Sequence, residues 1–244
     1  MRKFFDKTYQ YGQDKFITEL KESMQNEEKQ FVVTANPETF MIADGNAEFK
    51  KVLENPRTRI VPDGIGVVKA AQMLGYPVKD RVTGVEISKQ LLSMADEMKK
   101  SIYLFGAKPQ VIETLVQKIK KEYPQISIAG YTDGYVKDKQ KVFDEIVESK
   151  PDVLLVALGI PQQELLIDRN YDRFDKGIMI GVGGSFDVLS GTKKRAPEFF
   201  VKCNLEWLYR IAKEPKRIKR FVTSNVKFIF RIRKMMKEGN KHEY

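Results

Sequence analysis

The feature that most restricts the fold is an alternation of two periodicities. Short apolar runs fall at residues 31–35, 59–61, 102–105, 126–131, 153–158 and 177–182. Stretches of helical period lie between them, at 39–55, 64–74, 87–99, 109–122, 139–149 and 164–170. The run Val153-Leu154-Leu155-Val156-Ala157-Leu158 holds no polar residue, as expected of a central parallel strand buried on both faces. Pro109 stands first in its helix, where its missing N–H costs little. The pattern predicts an α/β fold: a Rossmann-like, mostly parallel sheet with helices on both faces. Residues 1–30 read as a short opening segment and a polar helix near 15–26.

Composition shifts near residues 191–197 and divides the chain into a core, 1–194, and a basic amphipathic helical appendage, 195–244. The appendage carries 14 Lys and Arg against 5 Asp and Glu, nearly all of the chain's net charge of +10. Such asymmetry points to an anionic partner. Two helices are expected, 198–213 and 215–237, with Pro215 breaking the first and opening the second. In the second, Ile218, Phe221, Val222, Phe228, Ile229, Ile232, Met235 and Met236 form one stripe. Basic and apolar residues interleave, as in Lys227-Phe228-Ile229-Phe230-Arg231, which suits a membrane headgroup region better than a nucleic-acid groove. The same pattern also fits a helix packed on the core, and the stripe's outer side suits lipid or a second copy of the chain. No run reaches the roughly 18–20 apolar residues of a membrane span, and the N-terminus lacks a signal-peptide apolar region. The expected placement is cytoplasmic, peripheral to the inner membrane face. The single cysteine, Cys203, precludes an intramolecular disulfide and fits a reducing compartment.

Open parallel sheets bind ligands beyond the carboxyl ends of their strands. The segments there are Thr34-Ala35-Asn36-Pro37, Pro62-Asp63-Gly64, Gly106-Ala107, Gly159-Ile160-Pro161-Gln162-Gln163 and Gly181-Val182-Gly183-Gly184-Ser185-Phe186-Asp187. Asp63 is the leading candidate. A carboxylate beside a glycine can serve as general base on a hydroxyl, and equally as an N-cap for a helix starting at Gly64. The last segment reads as an anion cradle of backbone N–H groups or as a plain connector. Gln162 and Gln163 either cap backbone or reach a sugar. His242, the only histidine, stands near the end of the chain, against a histidine-based triad or metal site. No Asp-x-Asp and no P-loop occurs. Gly64-Ile65-Gly66-Val67-Val68-Lys69 is a dinucleotide fingerprint with Lys in place of its third glycine, which leaves an oxidoreductase as a weaker alternative. A nucleic-acid-binding role would explain the tail but not the strand ends.

In this order the segments resemble the WecG/TagA/CpsF family of bacterial glycosyltransferases. The likeness is carried by Val61-Pro62-Asp63-Gly64, Arg81-Val82-Thr83-Gly84, Val156-Ala157-Leu158-Gly159-x-Pro161-x-Gln163-Glu164, Gly181 to Asp187, Lys194-Arg195-Ala196-Pro197 and Leu205-Glu206-Trp207-Leu208-Tyr209-Arg210. The first thirty residues lack the family's usual opening, an apolar strand carrying Gly and Asp. The resemblance implies an inverting, metal-independent transfer from a UDP-sugar, typically UDP-N-acetylmannosamine. The implied acceptor is undecaprenyl-diphosphate-linked N-acetylglucosamine, in teichoic acid or surface polysaccharide synthesis, and no cofactor is implied. Asp63 matches the family's proposed base. Thr34, Asn36 and Gln163 match its sugar-pocket residues, and Arg81, Gly183, Gly184 and Asp187 lie in its substrate-binding motifs. Arg210, Arg217 and Arg220 match arginines placed near a diphosphate.

Overall fold

The computed structural model describes residues 1–194, 196–197, 199–200, 206–213 and 218–239. In chain order its main elements are α1 (Arg2–Asp6), α2 (Gln13–Gln25), β1 (Lys29–Ala35), α3 (Pro37–Gly45), α4 (Ala47–Glu54), β2 (Thr58–Pro62), α5 (Ile65–Met73) and α6 (Gly84–Glu97). Next come β3 (Ser101–Gly106), α7 (Pro109–Glu122), β4 (Ser127–Thr132), α8 (Lys139–Ser149), β5 (Val153–Ala157), α9 (Gln162–Asn170), β6 (Gly177–Gly181) and α10 (Ser185–Leu189). Two helices of the basic segment follow, α11 (Glu206–Lys213) and α12 (Ile218–Gly239).

The six strands form one all-parallel sheet in the order β2-β1-β6-β5-β3-β4. Its centre is β6 and β5, whose residues are all buried. Side chains alternate across the pleat. Phe31, Val33 and Ala35 of β1 join one core with α1, α3, α4, α5, α8, α9 and α12, while Val32 joins a second core with α2, α6, α7 and α10. The α/β expectation is met, with helices on both faces.

Three local differences have clear causes. The helical stretch at 39–55 is two helices, because Asn46 caps α4 by accepting from the Phe49 N–H at 2.9 Å. Helix α6 starts three residues earlier than its apolar period suggests, because Thr83 accepts from the Glu86 N–H. The sequence Thr83-Gly84-Val85-Glu86 carries that signal, a hydroxyl cap followed three residues on by Glu. The opening segment contains α1, whose Phe4 and Phe5 are fully buried against Phe40, with ring centroids 5.4 and 5.1 Å away.

Helix α12 completes that cluster. Phe228, Ile232 and Met235 are buried on the core, with Phe228 6.5 Å from Phe5 and 6.4 Å from Phe40. Arg2 donates to the Met235 carbonyl at 2.9 Å, and Arg231 pairs with Asp44 at 3.1 Å. The single stripe read from the sequence therefore divides into two faces. Val222, Val226, Ile229 and Phe230 are exposed on the outside, Phe230 at 63 %. No helix among the described residues is long and apolar enough to cross a membrane.

Candidate active site

The carboxyl ends of β2, β1 and β6 bring the leading candidates together. Asp63 is fixed beside β1 by its backbone N–H, which donates to the Ala35 carbonyl at 2.9 Å. Val82 donates to the Pro62 carbonyl at 2.8 Å and carries the chain back over the same edge. Gly84, the first residue of α6, then donates its N–H to Asp63 Oδ1 at 3.0 Å. Helix α5 is capped by Gly64 without any side-chain bond. The carboxylate of Asp63 thus belongs to the N-terminus of α6, not to the helix that follows it in sequence.

Around it, Thr34 donates from Oγ1 to the Gly181 carbonyl at 3.0 Å and ties β1 to β6. A Cβ placed on Gly84 would lie 3.4 Å from Thr34 Cγ2 and 3.5 Å from Ser185 Oγ, so Thr34, Gly84 and Ser185 meet at this edge. Ser185 has no separate mark in the sequence beyond the glycine run before it. Asn36 caps α3: its Oδ1 accepts from the Thr39 N–H at 3.1 Å while Thr39 Oγ1 accepts from the Asn36 N–H. Its oxygen is thereby engaged, and its NH₂ is the end that can serve a ligand.

The glycine pair of the broken fingerprint has a packing reason. A Cβ on Gly66 would stand 2.9 Å from Pro37 Cγ, and one on Gly64 3.3 Å from both Asn36 Cβ and Pro37 Cδ. Both glycines let α5 close onto the start of α3, which accounts for them without a dinucleotide.

Gln163 lies behind the edge rather than on it, at 2 % exposure. Its Oε1 accepts from the Gly159 and Gly183 N–H groups at 3.1 and 3.2 Å, and its Nε2 donates to Glu164 Oε1 at 2.7 Å. Burial pushes the Glu164 carboxyl up to about 7, with the Gln163 bond opposing. Helix α10 is only five residues long, and its Ser185 N–H donates to the Val182 carbonyl. In the expected anion cradle the Gly183 and Ser185 N–H groups are therefore bonded within the protein. What the glycines supply is room: nothing lies within 4 Å of a Cβ built on Gly159, Gly183 or Gly184. Asp187 pairs with Lys193 at 3.4 Å and fixes the turn leaving α10.

Arg81 is brought to the same edge and meets the basic segment there. Its Nη1 is 3.7 Å from Glu206 Oε2 of α11, with both side chains mostly buried. Arg217 lies outside the described residues, as do Cys203 and His242. Arg210 and Arg220 stand on α11 and α12, and their side chains are outside the description. The arrangement offers a fixed carboxylate, hydroxyls and an amide around open glycine backbone, which is the equipment for deprotonating a hydroxyl next to a bound polar substrate.

The model of the glycosyl transferase WecG/TagA/CpsF family matches residues 7–242. A protein of Bacillus spizizenii named N-acetylglucosaminyldiphosphoundecaprenol N-acetyl-beta-D-mannosaminyltransferase is 42% identical over 209 residues, 85% of this chain and 81% of its own length. A Bacillus subtilis protein of the same name is 44% identical over 192 residues, 79% of this chain and 75% of its own. One from Staphylococcus aureus, again so named, is 36% identical over 212 residues, 86% and 82% of the two chains.

Proposed function

This chain belongs to the glycosyl transferase WecG/TagA/CpsF family, and from that premise we propose that it transfers N-acetylmannosamine from a UDP-sugar to undecaprenyl-diphosphate-linked N-acetylglucosamine. The observation that carries the mechanistic part is the Asp63 carboxylate held by the Gly84 N–H at the edge where Thr34 and Ser185 meet. The acceptor hydroxyl oxygen attacks the anomeric carbon as the bond from that carbon to the UDP phosphate oxygen breaks. The hydroxyl proton passes to Asp63, and UDP leaves with the bonding electron pair. Attack opposite the leaving group inverts an α-linked donor to a β-glycoside. With no Asp-x-Asp in the sequence, the negative charge on UDP falls to cationic side chains, for which Arg210, Arg217 and Arg220 are our candidates.

The acceptor is a lipid, and α12 supports peripheral docking at the cytoplasmic membrane face. Its outer side sets Val222, Val226, Ile229 and Phe230 among Lys227, Arg233 and Lys234. In this reading residues 195–244 present the acceptor to a catalytic core of residues 1–194, with self-association through the same outer face as the competing use.

The test is UDP release from a panel of UDP-sugars with a short-chain polyprenyl-diphosphate N-acetylglucosamine and EDTA present. Acceptor-dependent release with UDP-N-acetylmannosamine is the expected result. Release with a different UDP-sugar would move the donor assignment, and a requirement for added metal would overturn metal independence.

A further inference from the structure

Glu164 is the buried group for which the reaction has no use. It is 0 % exposed, and among the described residues no Lys or Arg pairs with it and its Oε2 has no hydrogen-bond partner. Carboxyl groups are rarely left so isolated, because burying one without compensating bonds is costly. Its one side-chain bond is to Gln163, whose Nε2 donates to Glu164 Oε1 at 2.7 Å.

That bond settles which way the Gln163 amide faces. The two ends of a carboxamide have nearly the same shape, and their orientation is set by the partners around them. Here Oε1 faces two donors, the N–H groups of Gly159 and Gly183. Turned over, the amide would put its own NH₂ against those donors and its oxygen against the Glu164 oxygen. The pair is pressed directly on β6: a Cβ on Gly181 would stand 2.5 Å from Gln163 Nε2 and 2.9 Å from Glu164 Oε1. Through one oxygen atom, then, Gln163 ties the turn after β5 to the turn after β6. The same two turns carry the open space over Gly159, Gly183 and Gly184.

We infer that Glu164 is a positioning residue: it orients the Gln163 carboxamide, which holds the Gly159 and Gly183 turns at the spacing that admits the sugar nucleotide. The ligand in this inference rests on the proposed function; the orientation of the amide does not.

The first measurement is the side-chain amide resonances of Gln163 in the unaltered protein. Rotation about the amide C–N bond is slow in any glutamine, so the readout is environment. Protection from solvent exchange is expected, lost with a shift of both signals in E164L, and signals unmoved in folded E164L overturn the orienting role. Titration with UDP, followed at the Gly159 and Gly183 backbone amides, tests the ligand without turnover, and shifts at neither overturn that part. Kinetics then separate positioning from bulk structure. E164L, which lacks the acceptor, should raise the donor KM about tenfold with a smaller change in kcat. E164Q keeps a carbonyl for the Gln163 N–H and should stay within about threefold of the unaltered KM. In a Q163L background, E164L should add nothing further. Additive effects, or an unchanged KM in folded E164L, overturn the inference. If E164L does not fold, E164Q with a tenfold higher KM overturns it instead. Absence of turnover with every UDP-sugar would sink the proposed function, while the amide signals still decide whether Glu164 orients Gln163.

Discussion

The two ends of the sheet solve opposite problems. At the amino end, Asp152 accepts from the Ser101 N–H and hydroxyl, both at 2.8 Å, and pairs with Lys176 at 2.9 Å. Lys176 and Lys100 both reach Glu27 as well, at 2.9 and 3.1 Å. That end is closed by mutual neutralisation. At the carboxyl end the buried Glu164 has no cationic partner among the described residues and one side-chain bond, to Gln163, and three glycines leave space uncovered. The two acids titrate in opposite directions accordingly. Burial pushes Asp152 up, but the Ser101 and Lys176 bonds outweigh it and hold the carboxyl below its ordinary value. Burial dominates for Glu164 and raises it to about 7. One end of the sheet is closed by ion pairs, and the other leaves open glycine backbone.

The largest expected effect is at the open end. Asp63→Ala should lower acceptor-dependent UDP release by about 10²-fold or more while the protein stays folded, with at most about 1–2 kcal/mol lost with the Gly84 bond. Near-unaltered turnover would remove Asp63 as the base. Next, the two faces of α12 should separate in denaturant titrations and vesicle binding. Phe228→Ala should cost about 3–5 kcal/mol of stability, since it empties a site between Phe5 and Phe40. Phe230→Ala should change stability by about 0.5 kcal/mol or less and weaken binding to anionic vesicles. Equal stability losses would mean that α12 is not docked through Phe228.

The pH dependence of unfolding sharpens the contrast between Glu164 and Asp152. The folded state holds the Glu164 proton more tightly than the unfolded chain does. Its contribution is therefore fully present below the ordinary glutamate value of 4.5 and is lost as pH rises to about 7. The loss should be roughly 3 kcal/mol, and E164Q should flatten that slope. Asp152 acts with the opposite sign: its contribution is present above 3.8 and lost as pH falls through its lowered folded value. Asp152→Asn should be about 1–2 kcal/mol less stable with the donor KM unchanged. A raised KM would show that the closed end also serves the site.

Much of this was legible in local pattern. The strands, the α7 and α8 limits and the α/β class follow from period and turn residues, because each element is amphipathic or apolar for its own burial. Position at a strand end singled out Asp63, while Thr34 was singled out only through the family resemblance. Less legible were features made by residues distant in sequence. The pairing of Asp63 with Gly84 joins positions 21 apart, and the burial of Phe4 and Phe5 depends on Phe228 at the other end of the chain. Gln163 stands at a strand end like a ligand residue, yet its amide is turned inward by Glu164.

The sequence by itself determined the class of fold, the edge where the candidate residues gather and the charge imbalance of the tail. Those depend on periodicity and composition, which are properties of neighbouring residues. Only the tertiary structure decided that Asp63 answers to α6, that α12 is half core and half surface, and that Gln163 works from behind. Each of those is a choice among partners equally available to the residue in sequence. Packing made the choice, by bringing one donor or one ring within reach and excluding the others.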